Sequence, residues 1–212
     1  MPSDGKNKKT RSKMNIILAS NSPRRKELLA GLGIEFEVKT IPGIDESFPD
    51  TLRGEDIPKH ISAKKAEAYK QIIGEDDLLI TADTIVYVDG EVLGKPSDAA
   101  DAKRMLRKLS GRTHQVITGV SIVTTKKHSC FAVTTNVSFD VLTDEQIDFY
   151  IEHYKPFDKA GAYGIQEWIG YVGVTGIEGS YFNVVGLPVQ RLYKELQKFL
   201  TIDNSKFIIH NS

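Results

Sequence analysis

One carboxylate interrupts the apolar, β-rich stretch from Leu78 to Val88: Asp83, within Thr81-Ala82-Asp83-Thr84. A carboxylate buried there without a partner is costly. At a strand end facing a cleft it would act as a general base or a metal ligand. The plainer alternative is a satisfied core aspartate. Two arginines, Arg24 and Arg25, open what reads as a helix after Ser20-Asn21-Ser22. The helix dipole already makes that end positive, so cations are poor choices there unless an anion arrives. Ser20, Ser22 and a guanidinium fork would suit such an anion. Lys64, Lys65 and Lys70 lie on a second predicted helix, and Lys95 sits in a Gly-Lys-Pro turn. Asp45 and Glu46 fall in a long loop, where they could be plain loop acids or ligands for a hard cation. His114 and Gln166 complete the set of candidates. Each of these also has an ordinary reading as a surface or core residue. Together, the cations and acids point to a polyphosphate with a divalent ion.

The elements that must position them follow from pattern. Asn15 to Ala19 is a buried strand; Ser22 caps the next helix, Pro23 fills its first position and Gly33 suits its end. Glu35 to Thr40 alternates as a second strand. Ile41 to Asp56 is a long Gly-, Pro- and acid-rich loop, and loops of that length are often functional. Pro58 to Ile73 is helical by period, with Ile61, Ala66, Tyr69 and Ile73 on one side. Asp89-Gly90 turns the 78–88 strand back into Val92-Leu93. Ser97 is expected to cap a helix reaching Leu109. Thr113 to Thr124 and Ser129 to Leu142 form a long antiparallel hairpin around Lys126-Lys127-His128. Thr143 to Gln146 reads as a capping box opening a helix to His153. Phe157 to Gly179 is glycine-rich loop with short strand pieces, and Pro188 opens a last helix with Leu192, Leu196 and Phe199 inward. No internal repeat or composition break appears. These elements predict one α/β fold, with a mixed, elongated sheet flanked by helices and two lobes around a cleft.

Composition excludes several classes. The chain has 212 residues, 40% hydrophobic and 26% charged, the balance of an ordinary globular protein. Lys+Arg and Asp+Glu both number 28, which argues against broad binding to nucleic acid or an anionic membrane. The single Cys130 excludes an intramolecular disulfide and a cysteine metal cluster. No apolar run approaches the roughly 18 residues of a membrane span. Residues 1–13 read as a disordered extension or remnant and 201–212 as a tail, around a domain at 14–200. A reducing, cytoplasmic setting is expected. Leu93-Gly94-Lys95-Pro96-Ser97 lacks phosphate-loop spacing, and there is no GxGxxG, HExxH or GxSxG. Ser20 and Ser22 have no evident His partner for a triad.

Taken in order, the motifs resemble the Maf family of nucleoside triphosphate pyrophosphatases: LASNSPRRKELL at 18–29, IDE at 44–46, KKAEA at 64–68, ADT at 82–84, GKP at 94–96, LSGRTHQVITG at 109–119, AGAYGIQ at 160–166 and GSYFNVVGLP at 179–188. The resemblance implies a fold like that of inosine triphosphate pyrophosphatases and a homodimer. It implies Asp83 as general base, with Glu46 and Lys65 in the active centre. It associates Arg24, Thr84 and Gln166 with substrate choice, in a branch acting on dTTP and UTP. On that reading Ser20, Ser22, Arg24 and Lys95 hold the triphosphate. Glu46 and Asp83 hold Mg²⁺ or Mn²⁺. A nucleotide-binding regulator of septum formation is the alternative; a nucleic-acid-binding module is disfavoured by the neutral charge and scattered aromatics.

Overall fold

Alternating apolar residues need a partner face, and the longest alternations build the centre of the molecule. The computed structural model describes residues 14–200. Its strands are β1 (Asn15–Leu18), β2 (Glu37–Val38), β3 (Asp77–Val88), β4 (Glu91–Leu93), β5 (Thr113–Val123), β6 (His128–Phe139) and β7 (Val174–Glu178). They form one mixed sheet in the order β2-β1-β3-β5-β6-β7, with β4 beside β3. β1 runs parallel to β2 and β3, and the other pairings are antiparallel. The helices are α1 (Pro23–Ala30), α2 (Asp56–Ala68), α3 (Ala99–Leu109), α4 (Asp144–Tyr154), α5 (Trp168–Gly173), α6 (Tyr181–Val185) and α7 (Val189–Leu196). The extension expected at 1–13 and the tail expected at 201–212 lie outside the described residues.

Successive β3 side chains face opposite sides of the sheet, and this sorts the core. Leu78, Ile80 and Ala82 join Val120, Ile122, Leu29 of α1 and Leu192 and Leu196 of α7. Farther along, Val86 and Val88 join Val116, Val137 and the apolar faces of α3 and α4. Thr84 falls between these two clusters. The odd residues face α2: Leu79 packs with Ala66 and Tyr69, and Ile85 with Ile57 and Ile61. One face of a shared sheet thus carries two cores, which are the two lobes. α2 covers the opposite face.

Several expectations shift for physical reasons. Asp98, not Ser97, caps α3: its carboxylate accepts from Asp101 N, while Ser97 N donates to the Asp101 carboxylate. α2 starts before Pro58, because a proline in the first turn lacks only an N–H that has no helical partner. It ends at Ala68, where Tyr69 turns inward and its hydroxyl donates to Lys39 O and accepts from Ile41 N. α1 stops at Ala30, and Gly33 takes a left-handed turn beyond it with φ 68°. The second strand keeps only two residues, and β6 ends at Phe139. The stretch read as loop and strand pieces holds α5 and a 3-10 turn at Ala160–Ala162 as well as β7. Phe199 lies beyond α7 yet packs on its cluster. The Ser22 cap and the Thr143–Gln146 capping box form as expected.

Candidate active site

β1 pairs with β3 as far as Ile80, and β4 takes up the same edge of β3 again at Val86. Between them the edge is open. A cavity of about 760 Å³ fills this gap and runs between the lobes. Its size is in the range of small-molecule sites, about 300–1,000 Å³. Ser20, Ser22, Arg24, Glu46, Lys65, Asp83, Thr84, Lys95 and Gln166 all line it. Topology therefore gathers these nine residues, from six separate segments, onto one opening.

Asp83 faces α2. There Lys65 Nζ donates to Asp83 Oδ1 at 2.8 Å and lies 3.0 Å from Glu46 Oε1. The lysine and aspartate side chains are 14% and 12% exposed, whereas Glu46 is 52% exposed. One nearly buried ammonium thus bridges a buried and an open carboxylate. The placement depends on Gly119, the residue paired with Asp83 across the ladder. A Cβ on Gly119 would lie 2.3 Å from Pro58 C and O, so its absence lets the start of α2 rest on the sheet. Among the described residues, no group of three or more His, Cys, Asp and Glu side chains is placed to hold a metal. A pair of carboxylates beside a cation- and hydroxyl-lined wall still suits a hard divalent cation, which commonly takes its remaining ligands from substrate and water.

The two arginines divide their work. Arg25 reaches across the open edge of β3 and donates to Ala82 O, Thr84 Oγ1 and Gly186 O at 2.9, 3.0 and 2.9 Å. Burial pulls its pKa down, while the carboxylate of Asp83 works the other way. It fastens the strand carrying Asp83 to α1 and to the end of α6. Thr84 is held twice, since Thr118 Oγ1 lies 2.9 Å from its hydroxyl. Arg24 instead spans the cleft mouth, donating to Asp158 Oδ2 at 2.9 Å. Partial burial would raise the Asp158 pKa, but Lys159 and Arg24 outweigh it and hold it at about 2. Ser20 Oγ accepts from Ser22 N, and Ser22 Oγ from Arg25 N. Both hydroxyl hydrogens remain as donors.

On the opposite wall, Lys95 is exposed and forms no ion pair among the described residues. Gly94 O accepts from Gly161 N, tying that turn to the Ala160–Ala162 segment. Gln166 Oε1 is buried with no partner. Such an orphan acceptor is costly, and a ligand N–H could satisfy it.

Four earlier candidates fall elsewhere. Asp45 pairs with Lys64 at 2.5 Å, and neither lines the cavity. Lys70 pairs with Glu67 on the surface. His114 is buried behind the site, with Nε2 2.7 Å from the Tyr163 hydroxyl; burial pushes its pKa down to about 4. Sequence reasoning missed Arg25 as the edge clamp, and Asp158 and Lys159 altogether. A charged pair flanking the AGAYGIQ motif was the available signal.

The Maf-like protein family model matches residues 15–199. A protein of Phocaeicola vulgatus named dTTP/UTP pyrophosphatase is 63% identical over 186 residues, covering 88% of this chain and 96% of the relative. Proteins with the same name from Bacteroides fragilis and Flavobacterium psychrophilum are 59% and 49% identical, covering 86% and 84% of this chain and 95% and 91% of their own lengths.

Proposed function

The chain belongs to the Maf-like protein family, and from that premise we propose that it is a nucleoside triphosphate pyrophosphatase acting on dTTP and UTP. The products are the nucleoside monophosphate and pyrophosphate. The observation that carries the reading is the meeting, in one cleft, of the Asp83–Lys65–Glu46 cluster with a cation- and hydroxyl-lined wall.

Asp83 is the general base. Lys65 occupies its Oδ1, so Oδ2 is the oxygen turned to a water. As that water attacks the α-phosphorus, its proton passes to the carboxylate and a new P–O bond forms. The bridging bond to the β-phosphorus breaks, and pyrophosphate leaves with the bridging oxygen. Arg24, Lys65 and Lys95 offset the charge gathering on it. Ser20 and Ser22 donate to phosphate oxygens. Glu46 and Asp83 are the residues that would hold Mg²⁺ or Mn²⁺, which when bound polarises the phosphoryl oxygens. Thr84, locked by Arg25 and Thr118, shapes the floor of the pocket. Gln166 reads the base: its amide offers a carbonyl and an N–H₂ to the adjacent N–H and carbonyl of uracil or thymine. Its orphan buried Oε1 supports that assignment.

A single domain over 14–200, a cytoplasmic setting and a homodimer belong to the same proposal. Among the described residues no helix is long and apolar enough to cross a membrane. Incubation with dTTP or UTP and Mg²⁺, followed by separation of nucleotides, tests the reaction. Monophosphate and pyrophosphate in equal amounts are expected. Nucleoside diphosphate with inorganic phosphate, or no turnover, overturns the reading.

A further inference from the structure

A lysine with a side chain only 10% exposed needs a reason, and Lys159 has two carboxylates. Its Nζ lies 2.8 Å from Asp158 Oδ1 and 3.0 Å from Glu167 Oε1. The other oxygen of Glu167 accepts from the Tyr150 hydroxyl, and that hydroxyl accepts from Gly164 N at 3.0 Å. The second oxygen of Asp158 accepts from Arg24. An unbroken chain of polar contacts therefore runs from Arg24 through Asp158, Lys159, Glu167 and Tyr150 to Gly164. It begins at the phosphate end of the cleft and ends inside the segment that carries Gln166.

The packing around Gly164 shows how closely that segment follows the pair. A Cβ on Gly164 would lie 2.9 Å from Glu167 Cδ, 3.0 Å from Lys159 Cε and 3.1 Å from Glu167 Oε2. The backbone at Gly164 is thus pressed directly onto the Lys159–Glu167 ion pair. Gln166 is the next residue before Glu167, so its backbone is anchored between Gly164 and that pair. α4 supplies the backing through Tyr150, which is fully buried.

We propose that Lys159 is a positioning residue for base selection: its ion pair with Glu167 sets the Gln166 amide, and its pair with Asp158 links that setting to Arg24. The inference rests on the reading of Gln166 as the base-reading residue. Lys159 does no chemistry at phosphorus. Its removal should alter which nucleotide is held more than how fast a held nucleotide reacts.

The test is a kinetic panel of dTTP, UTP, dATP and GTP for the wild type, Lys159→Met, Glu167→Gln and the double variant. Lys159→Met is expected to lower kcat/KM for dTTP and UTP by about tenfold or more, the scale of one misplaced buried hydrogen bond. The loss should lie in KM, with kcat little changed, and purine triphosphates should lose much less. The double variant should be no worse than the poorer single variant, because both changes break one unit. Equal losses with every nucleotide, a loss confined to kcat, or additive losses overturn the proposal. Should Lys159→Met fail to fold by circular dichroism, Glu167→Gln carries the same expectations, since it keeps the shape and an acceptor for Tyr150. Gln166→Glu separates the two readings. A pyrimidine preference that survives it defeats the base-reading assignment. A preference lost there but kept in Lys159→Met and Glu167→Gln defeats this inference alone.

Discussion

Asp83 and Gly119 stand opposite each other on β3 and β5, and the side chain missing from Gly119 is what brings α2 down beside the carboxylate. Lys65 reaches Asp83 from that helix. Gly119→Ala must push backbone atoms of Pro58 and Lys59 away, since a Cβ would lie 2.3 Å and 2.5 Å from them. Overpacking of this kind costs about 1–3 kcal/mol. The variant is expected to melt at a lower temperature and to lose activity out of proportion to the folded fraction. Denaturant titration beside kcat on the folded protein checks both. Wild-type kcat with unchanged stability would mean that α2 yields freely.

Removing the proposed base while keeping its shape is the direct test of the chemistry. Asp83→Asn is expected to lower kcat by about 10²–10⁴ with the fold retained. Circular dichroism and initial rates with UTP suffice, and a kcat within a few-fold of wild type rejects Asp83 as the base.

The arginines should separate. Arg25→Ala strands Ala82 O and Gly186 O beside a buried gap and leaves Thr84 Oγ1 with Thr118 alone, and each unpaired buried group costs about 1–3 kcal/mol. A clear drop in melting temperature is expected. Arg24 pairs with an Asp158 side chain that is 58% exposed, and such pairs contribute about 0–1 kcal/mol. Arg24→Ala should therefore leave stability nearly unchanged and raise KM for the triphosphate. The opposite pattern would exchange the two roles.

Turnover should depend on a divalent cation. Two carboxylates share one lysine at Asp83 and Glu46, and a triphosphate brings further negative charge to the same place. Exhaustive chelation is expected to abolish turnover, and Mg²⁺ or Mn²⁺ to restore it. Glu46→Gln should raise the metal concentration needed for half-maximal rate. Full activity in the chelated enzyme counts against this assignment.

Much of this was legible because the relevant signals are local. The Ser22 cap, the Thr143–Gln146 capping box and the hairpin expected over 113–142 each depend on a few neighbouring residues, and each stands in the structure, the hairpin's second strand ending at Phe139 rather than Leu142. The members of the site were legible as residue types, since buried acids and clustered cations are unusual. Their roles were less so. Nothing near Arg25 in the chain reveals that its acceptors lie at 82, 84 and 186, and nothing near Asp158 reveals Arg24. α5 and α6 were illegible for another reason. At six and five residues they are too short to show a helical period.

The lobes are joined by continuous strands rather than by a linker. β3 and β5 each contribute side chains to both clusters, and β6 places Phe131 in one and Val137 and Phe139 in the other. There is accordingly no swivel for a rigid-body clamshell motion. Narrowing the cleft must coil the shared ladder itself, like tightening a ribbon, and every hydrogen-bonded register resists it. Even at Thr84, which belongs to neither cluster, Arg25 and Thr118 hold the strand. A nucleotide thus meets a nearly finished mould, and most of the entropy of ordering the site is lost when the chain folds rather than when substrate arrives.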